Sequence, residues 1–234
     1  MTMIDRGFPK AANETLRQNA YRELKRMLIG GRFLPGEGMT IRALSTTLQL
    51  GAMPVREAVQ QLAAEDALEF AANRTVRVPK LSIDEFRDIS EIRALLEGEA
   101  AARAAAHISP AELAKISHAL DRIIVALDNG APHEGLAANL AFHFGIYRAS
   151  RSTCLVRTIE KLWLRIGPLL IVPFRQDGPS ASAFFGSTLP THFQLIAALR
   201  ERKAEEARQL VREILVDDPD DVGLADAQEQ ALRI

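Results

Sequence analysis

Cysteine is almost missing from this sequence. Cys154 is the one thiol in 234 residues, so no internal disulfide can form and a reducing compartment is implied. Long apolar runs are missing too. Each is broken by charge before about 18 residues, which argues against a membrane-spanning helix. The opening "MTMIDRGFPKAANETLRQ" has no apolar stretch behind its first basic residue, so no signal peptide is expected and a cytoplasmic location is. Aromatic residues make up only 6% of the chain, while hydrophobic residues reach 47% and charged ones 25%, the balance of a helix-rich globular protein. No nucleophile elbow, Gly-rich phosphate loop or H-E-x-x-H is present, which removes the commonest hydrolase, nucleotide-binding and zinc-protease classes.

Charge of either sign is in near balance, a net −1, but it is unevenly placed. Residues 1–80 carry 12 Lys and Arg against 8 Asp and Glu, and the remainder carries 17 against 22. A basic front half on an acidic rear half suits a nucleic-acid module joined to a different one.

The front half reads as three short helices and a hairpin. Leu16, Ala20, Leu24, Met27 and Leu28 recur at helical spacing over 13–30 and stop at Gly30-Gly31. "FLPGEGM" reads as a turn. Thr40 is a candidate N-cap for a second helix, and Pro54 suits the first position of a third that turns Val55, Ala58, Val59 and Leu62 inward. Short β-capable pieces at 68–70 and 75–78 flank an Asn73-Arg74 turn, and Pro79 ends them. Over 13–79 this pattern makes a winged helix-turn-helix. A major-groove reader needs cations on its first turns. Arg42 and Arg56 begin the second and third helices, and Arg74 sits at the hairpin tip.

Behind Ser82 no further strands are expected. "SIDE" and "SPAE" match the capping box, and helices are predicted near 83–107, 110–129, 134–150, 154–172, 184–201 and 203–216, with Gly130 as a C-cap residue. "PFRQDGPSAS" reads as a loop, and 217–234 as an acidic, Pro-broken tail. The fold class is therefore mainly α: a winged helix-turn-helix with a small β-hairpin wing, then an antiparallel all-α bundle over 84–216. Asn139 and His143, four apart, share a helix face, and His192 begins another helix. Imidazoles suit zinc or nickel, so these three residues are candidate metal ligands, pocket-lining hydrogen-bonders or plain packing groups. Arg93, Arg148 and Arg165 are candidate anchors for an acidic effector, because an arginine inside a bundle needs an anion.

The stretch "GRFLPGEGMTIRALSTTLQLGAMPVREAVQQLAAEDALE" resembles the DNA-binding domain of the GntR family of bacterial transcriptional regulators, through "PGE", the Arg42-x-Leu44 pair and above all "PVREAV", with "NRTVRVP" as the wing. The resemblance implies DNA contacts by Arg42, Arg56 and Arg74. Two departures stand out: Gly51-Ala52 replaces the family's frequent Ser-Arg, and Thr75 replaces the wing glycine. "ISEIRALLEGEAAARAA", with Arg93 and Glu97, together with "NLAFH" and "THFQLIAAL", resembles the FadR-type (FCD) ligand-binding domain of the same family. In metal-binding members of that domain an Asp stands where this chain has Asn139, and an ungapped alignment from His192 puts Ile214 where the last His belongs. The implied function is a homodimeric, ligand-responsive regulator on a double-stranded operator, a repressor released by a small carboxylate. The alternatives are a metal-dependent enzyme using the His143/His192 pair and a protein-interaction module that does not touch DNA.

Overall fold

A computed structural model describes residues 10–71, 75–170 and 188–216. The hairpin tip with Arg74, the 171–187 segment with its predicted loop, and the 217–234 tail lie outside the described residues.

Helix α1 (Lys10–Ile29) buries Ala20, Leu24, Met27 and Leu28, while Leu16, expected on the same stripe, is 38% exposed. Segment 31–40 does more than turn. Its end forms strand β1 (Gly38–Thr40), which pairs antiparallel with β3 (Thr75–Arg77), and β2 (Glu69–Phe70) pairs with the other edge of β3. The expected two-stranded hairpin is thus a three-stranded sheet of order β1-β3-β2. Met39 and Val76 face each other across the β1–β3 pair and are both buried. Helix α2 (Ile41–Leu48) begins on Thr40, whose hydroxyl accepts from Ala43 N at 3.1 Å. Helix α3 (Ala52–Ala64) starts two residues before Pro54. The missing N–H of Pro54 costs nothing there, because the first turn's N–H groups have no intrahelical acceptor.

The rear helices begin where their caps dictate. Helix α4 (Ile83–His107) starts on Ser82 and α5 (Pro110–Asp128) on Ser109, each with a complete capping box, to Glu85 and Glu112. Gly130, at φ 60°, follows the α5 C-cap Asn129. Helix α6 (Pro132–Ala149) lies along α5. Helix α7 (Thr153–Ile166), N-capped by Ser152, is shorter than predicted: it gives way to a 3-10 turn at Gly167–Leu169, because Pro168 has no N–H to continue the ladder. Helices α8 (Leu189–Arg200) and α9 (Ala204–Val216) close the bundle, α9 lying along α4.

One apolar core runs through both halves, from Ala20 and Leu24 of α1 to Leu210 and Val211 of α9. Helix α1 is the joint, since it rests on α3 on one side and on α7 and the 3-10 turn on the other. The approach is closest at Gly167, where a Cβ would fall 2.6 Å from Ile29 Cα and 2.9 Å from the carbonyl oxygens of Leu28 and Ile29. Backbone cannot yield there as a flexible side chain would. Gly167→Ala is therefore expected to destabilise the protein by about 1–3 kcal/mol, lowering the melting temperature by about 2–4 °C for each kcal/mol. Thermal unfolding followed by circular dichroism checks this, and an unchanged midpoint would show that the joint can open freely.

Candidate nucleic-acid interface and effector site

The front domain offers one cationic face. Arg42 is exposed on the first turn of α2 and Arg56 at the start of the second turn of α3, and with Ser45, Thr46 and Gln49 they line a single open concavity of about 540 Å3. Neither guanidinium has a hydrogen bond or ion pair among the described residues. Helix α3 begins on Gly51 without a side-chain cap, so its leading N–H groups stay open to an anion. Met53 on the same turn is 66% exposed and supplies an apolar surface of the kind that meets a thymine methyl group. The inward side of α3 is wholly apolar and packs on α1, so the helix is held from behind and presents this face outward.

The rear bundle holds a buried polar cluster. Glu97 on α4 has no solvent exposure. Its Oε1 accepts from Arg93 Nε at 2.7 Å and from the Trp163 indole N–H at 2.8 Å, and its Oε2 accepts from the Tyr147 hydroxyl and, at 3.4 Å, from Arg93 Nη2. The Arg93 guanidinium also lies over the Trp163 ring, 4.5 Å from its centroid. Next to this knot, Tyr147 Oη is 3.2 Å from His143 Nδ1, and the His143 and His192 rings stand edge to face at 5.5 Å. His192 Nδ1 is 2.7 Å from the Thr188 carbonyl, a contact that requires the proton on Nδ1 and leaves Nε2 with a bare lone pair. That Nε2 is buried and has no partner among the described residues. Burial, with the His192 and Arg93 charges adding to it, holds the pKa of His143 well below its ordinary value; burial lowers that of His192 against the pull of the Thr188 carbonyl. Burial first, then the Glu97 charge, raises that of Tyr147. The pole is thus two neutral imidazoles beside an internally neutralised Arg–Glu pair.

Comparison with known proteins shows which family the chain belongs to. The FCD domain family matches residues 88–217, and the bacterial regulatory proteins of the gntR family match residues 16–78. The chain belongs to the GntR family. Among relatives of this GntR protein, the HTH-type transcriptional regulator McbR of Escherichia coli K12 is 29% identical over 209 residues, covering 89% of this chain and 93% of McbR. The HTH-type transcriptional repressor GlaR of the same organism is 27% identical, covering 85% and 91%. The solved structure of E. coli McbR/YncC superposes with a TM-score of 0.81 at 27% identity, covering 92% of this chain and 98% of that one. A GntR regulator from Rhodococcus sp. RHA1 shares the fold, with a TM-score of 0.68 at 21% identity. The protein is a DNA-binding transcriptional regulator with a ligand-binding domain, not a metal-dependent enzyme.

Within this GntR chain, the structure gathers some of the residues picked out from sequence and separates others. Asn139, His143, His192 and Arg93 are all buried, Asn139 one turn before His143 on α6. Arg148 is exposed at the end of α6, stacked over Phe144 at 5.6 Å, on an outer groove of the molecule. Arg165 faces the start of α4 and pairs with Glu85 at 3.5 Å. These two arginines do not turn into the bundle as expected, because their neighbours Tyr147, Trp163 and Leu164 take the inward positions of their helices. Sequence reasoning missed Glu97 as an internal acid, along with Tyr147 and Trp163. The spacing of Arg93 to Glu97 and of His143 to Tyr147, four residues each, was the available signal. Ile214 is partly buried against the main core.

Neutral buried imidazoles make stability pH-dependent. Both histidines have lower pKa values folded than unfolded, so below about pH 6.5 the unfolded chain binds more protons. Their stabilisation is complete above that pH. It is lost as pH falls, by up to about 1.4 kcal/mol per pH unit for each histidine, until the folded groups also protonate. Urea unfolding at pH 7.5 and 5.5 should show the loss, and His143→Gln with His192→Gln should flatten it.

Proposed function

We propose that the protein is a cytoplasmic repressor that binds a near-palindromic operator as a homodimer and is released by a small organic acid. The observation that carries the reading is the pairing of Arg42 and Arg56, their guanidinium groups unpartnered among the described residues, on one concave outward face. Two such faces, one per protomer, enter successive major grooves, because one recognition helix contacts too few bases to select a site in a genome. By the family resemblance Arg74 is a third contact. Ala52, where related domains often carry arginine, removes one, so operator selection leans on Arg42, Arg56 and the thioether of Met53. No helix among the described residues is long and apolar enough to cross a membrane, which agrees with a protein that meets DNA.

The effector reading rests on the cluster around Glu97. Arg93 gives two of its five N–H donors to Glu97, which leaves donors for an incoming carboxylate. His192 Nε2 is an acceptor with no donor among the described residues. A small acid carrying a second polar group satisfies both, among walls made of Phe142 and Trp163. For a divalent ion such as zinc or nickel, Asn139, His143 and His192 supply two neutral imidazoles and an amide with no anionic ligand, a donor set that holds such ions weakly. Among the described residues no group of three or more His, Cys, Asp or Glu is arranged to hold an ion. The organic acid is the better match.

Two experiments test this reading. Arg56→Ala should weaken specific operator binding by about 1–3 kcal/mol, roughly five- to 150-fold, with unchanged circular dichroism; undiminished affinity in a salt-controlled gel shift would remove Arg56 from the interface. In a thermal-shift screen of carboxylates, the effector should raise the melting temperature and lower operator affinity. His143→Ala and His192→Gln should abolish both effects. Hits that survive both substitutions at full strength would place the pocket elsewhere.

A further inference from the structure

A further cavity lies outside the bundle, in the groove where the two domains meet. Its walls come from the end of α1 and the turn after it (Arg26, Ile29, Arg32) and from α6 (Leu140, Phe144, Arg148), with Glu160 of α7 at one edge, enclosing about 500 Å3. That volume, and a position between domains, are usual for small-molecule sites. The floor is apolar, from Ile29, Leu140 and Phe144.

The charges around it do not cancel. Glu160 is taken by Lys25 at 2.6 Å, and Arg26 is taken by Glu23, with contacts of 2.9 and 3.1 Å. The guanidinium groups of Arg32 and Arg148 have no ion pair or hydrogen bond among the described residues. Arg148 lies along the face of Phe144, so its guanidinium stands directly beside the apolar floor. One arginine comes from the reader domain and the other from the helical domain. We propose that this groove binds an amphipathic monoanion, a carboxylate on an aliphatic chain or ring. The carboxylate is held between Arg32 and Arg148, and the apolar part lies on Ile29, Leu140 and Phe144. Because the ligand touches both domains, it favours the arrangement in which they meet as they do here. This site is independent of the His143/His192 pole, and its arginines lie apart from the Arg42–Arg56 face.

Octanoate is a suitable probe, with octylamine as its cationic counterpart, titrated calorimetrically into the full chain. The expected result is one octanoate per chain, weakened at least tenfold by Arg32→Ala with Arg148→Ala, abolished by Ala141→Trp, which fills the groove, and at least tenfold tighter than octylamine. His192→Gln should leave it unchanged. No octanoate binding at millimolar concentration, equal binding of octylamine, or binding untouched by the arginine substitutions would each overturn the proposal. Loss of octanoate on His192→Gln with the arginine variants intact would also overturn it, and would assign the acid to the bundle. If the arginine variants bind octanoate normally but lose affinity for random-sequence DNA, the groove is a phosphate-backbone surface and the proposal fails.

Discussion

A carboxylate with no access to solvent sits at the centre of the helical domain, and three helices are fixed by it. Glu97 comes from α4, and its donors come from α4, α6 and α7. Burying a charge costs several kcal/mol unless the site neutralises it and fills its lone pairs. Here Arg93 supplies the opposite charge, and Tyr147 and Trp163 complete the hydrogen bonds. Losing any one donor would leave the charge undercompensated, so the three helices hold one register. The histidine pole inherits that order, because Tyr147 touches both Glu97 and His143.

The same knot is connected to the reader through α7 and α1. Trp163 lies one turn beyond Glu160 on α7, and Glu160 binds Lys25 of α1. One turn before Lys25, the Tyr21 hydroxyl donates to Glu65 at 2.8 Å, and Glu65 is the C-cap residue of α3. The Lys25 ammonium also stands 5.8 Å from the Tyr21 ring centre. From the helical domain to the end of α3 the path runs along α7, through the Lys25–Glu160 pair and along α1 to the Tyr21–Glu65 hydrogen bond, and α1 is the element the two halves share.

Most of the fold could be read from local chemistry. Ser82 with Glu85 and Ser109 with Glu112 marked helix starts because capping is decided within four residues. Strand β1 was illegible, since three residues containing a glycine become a strand only by pairing with a segment 37 places later, as Met39 does with Val76. Helix α7 was overextended because the apolar run continues through Gly167-Pro168, where the backbone does not. At the site, the Asn139–His143 face was visible as a helical spacing, and His192 as its partner across the bundle. Glu97, Tyr147 and Trp163 meet across 50 and 66 residues of chain, and no local pattern announces such a meeting. Arg148 and Arg165 show the reverse error: an arginine in an apolar context need not point inward when its neighbours already fill the core.

The bare Cα at position 167 has a consequence for how such regulators diversify. The reader and the sensor touch at main-chain level there, with Ile29 and Leu28 of one against Gly167 of the other. Side-chain surfaces can drift residue by residue, but a main-chain contact is a shape that both modules must share. A reader borrowed from a relative would bring its own α1 terminus, and the recipient's α7 end would have to match it. The exchangeable part in this architecture is therefore not the DNA-binding domain alone. It is that domain together with the strip of helix against which it is seated.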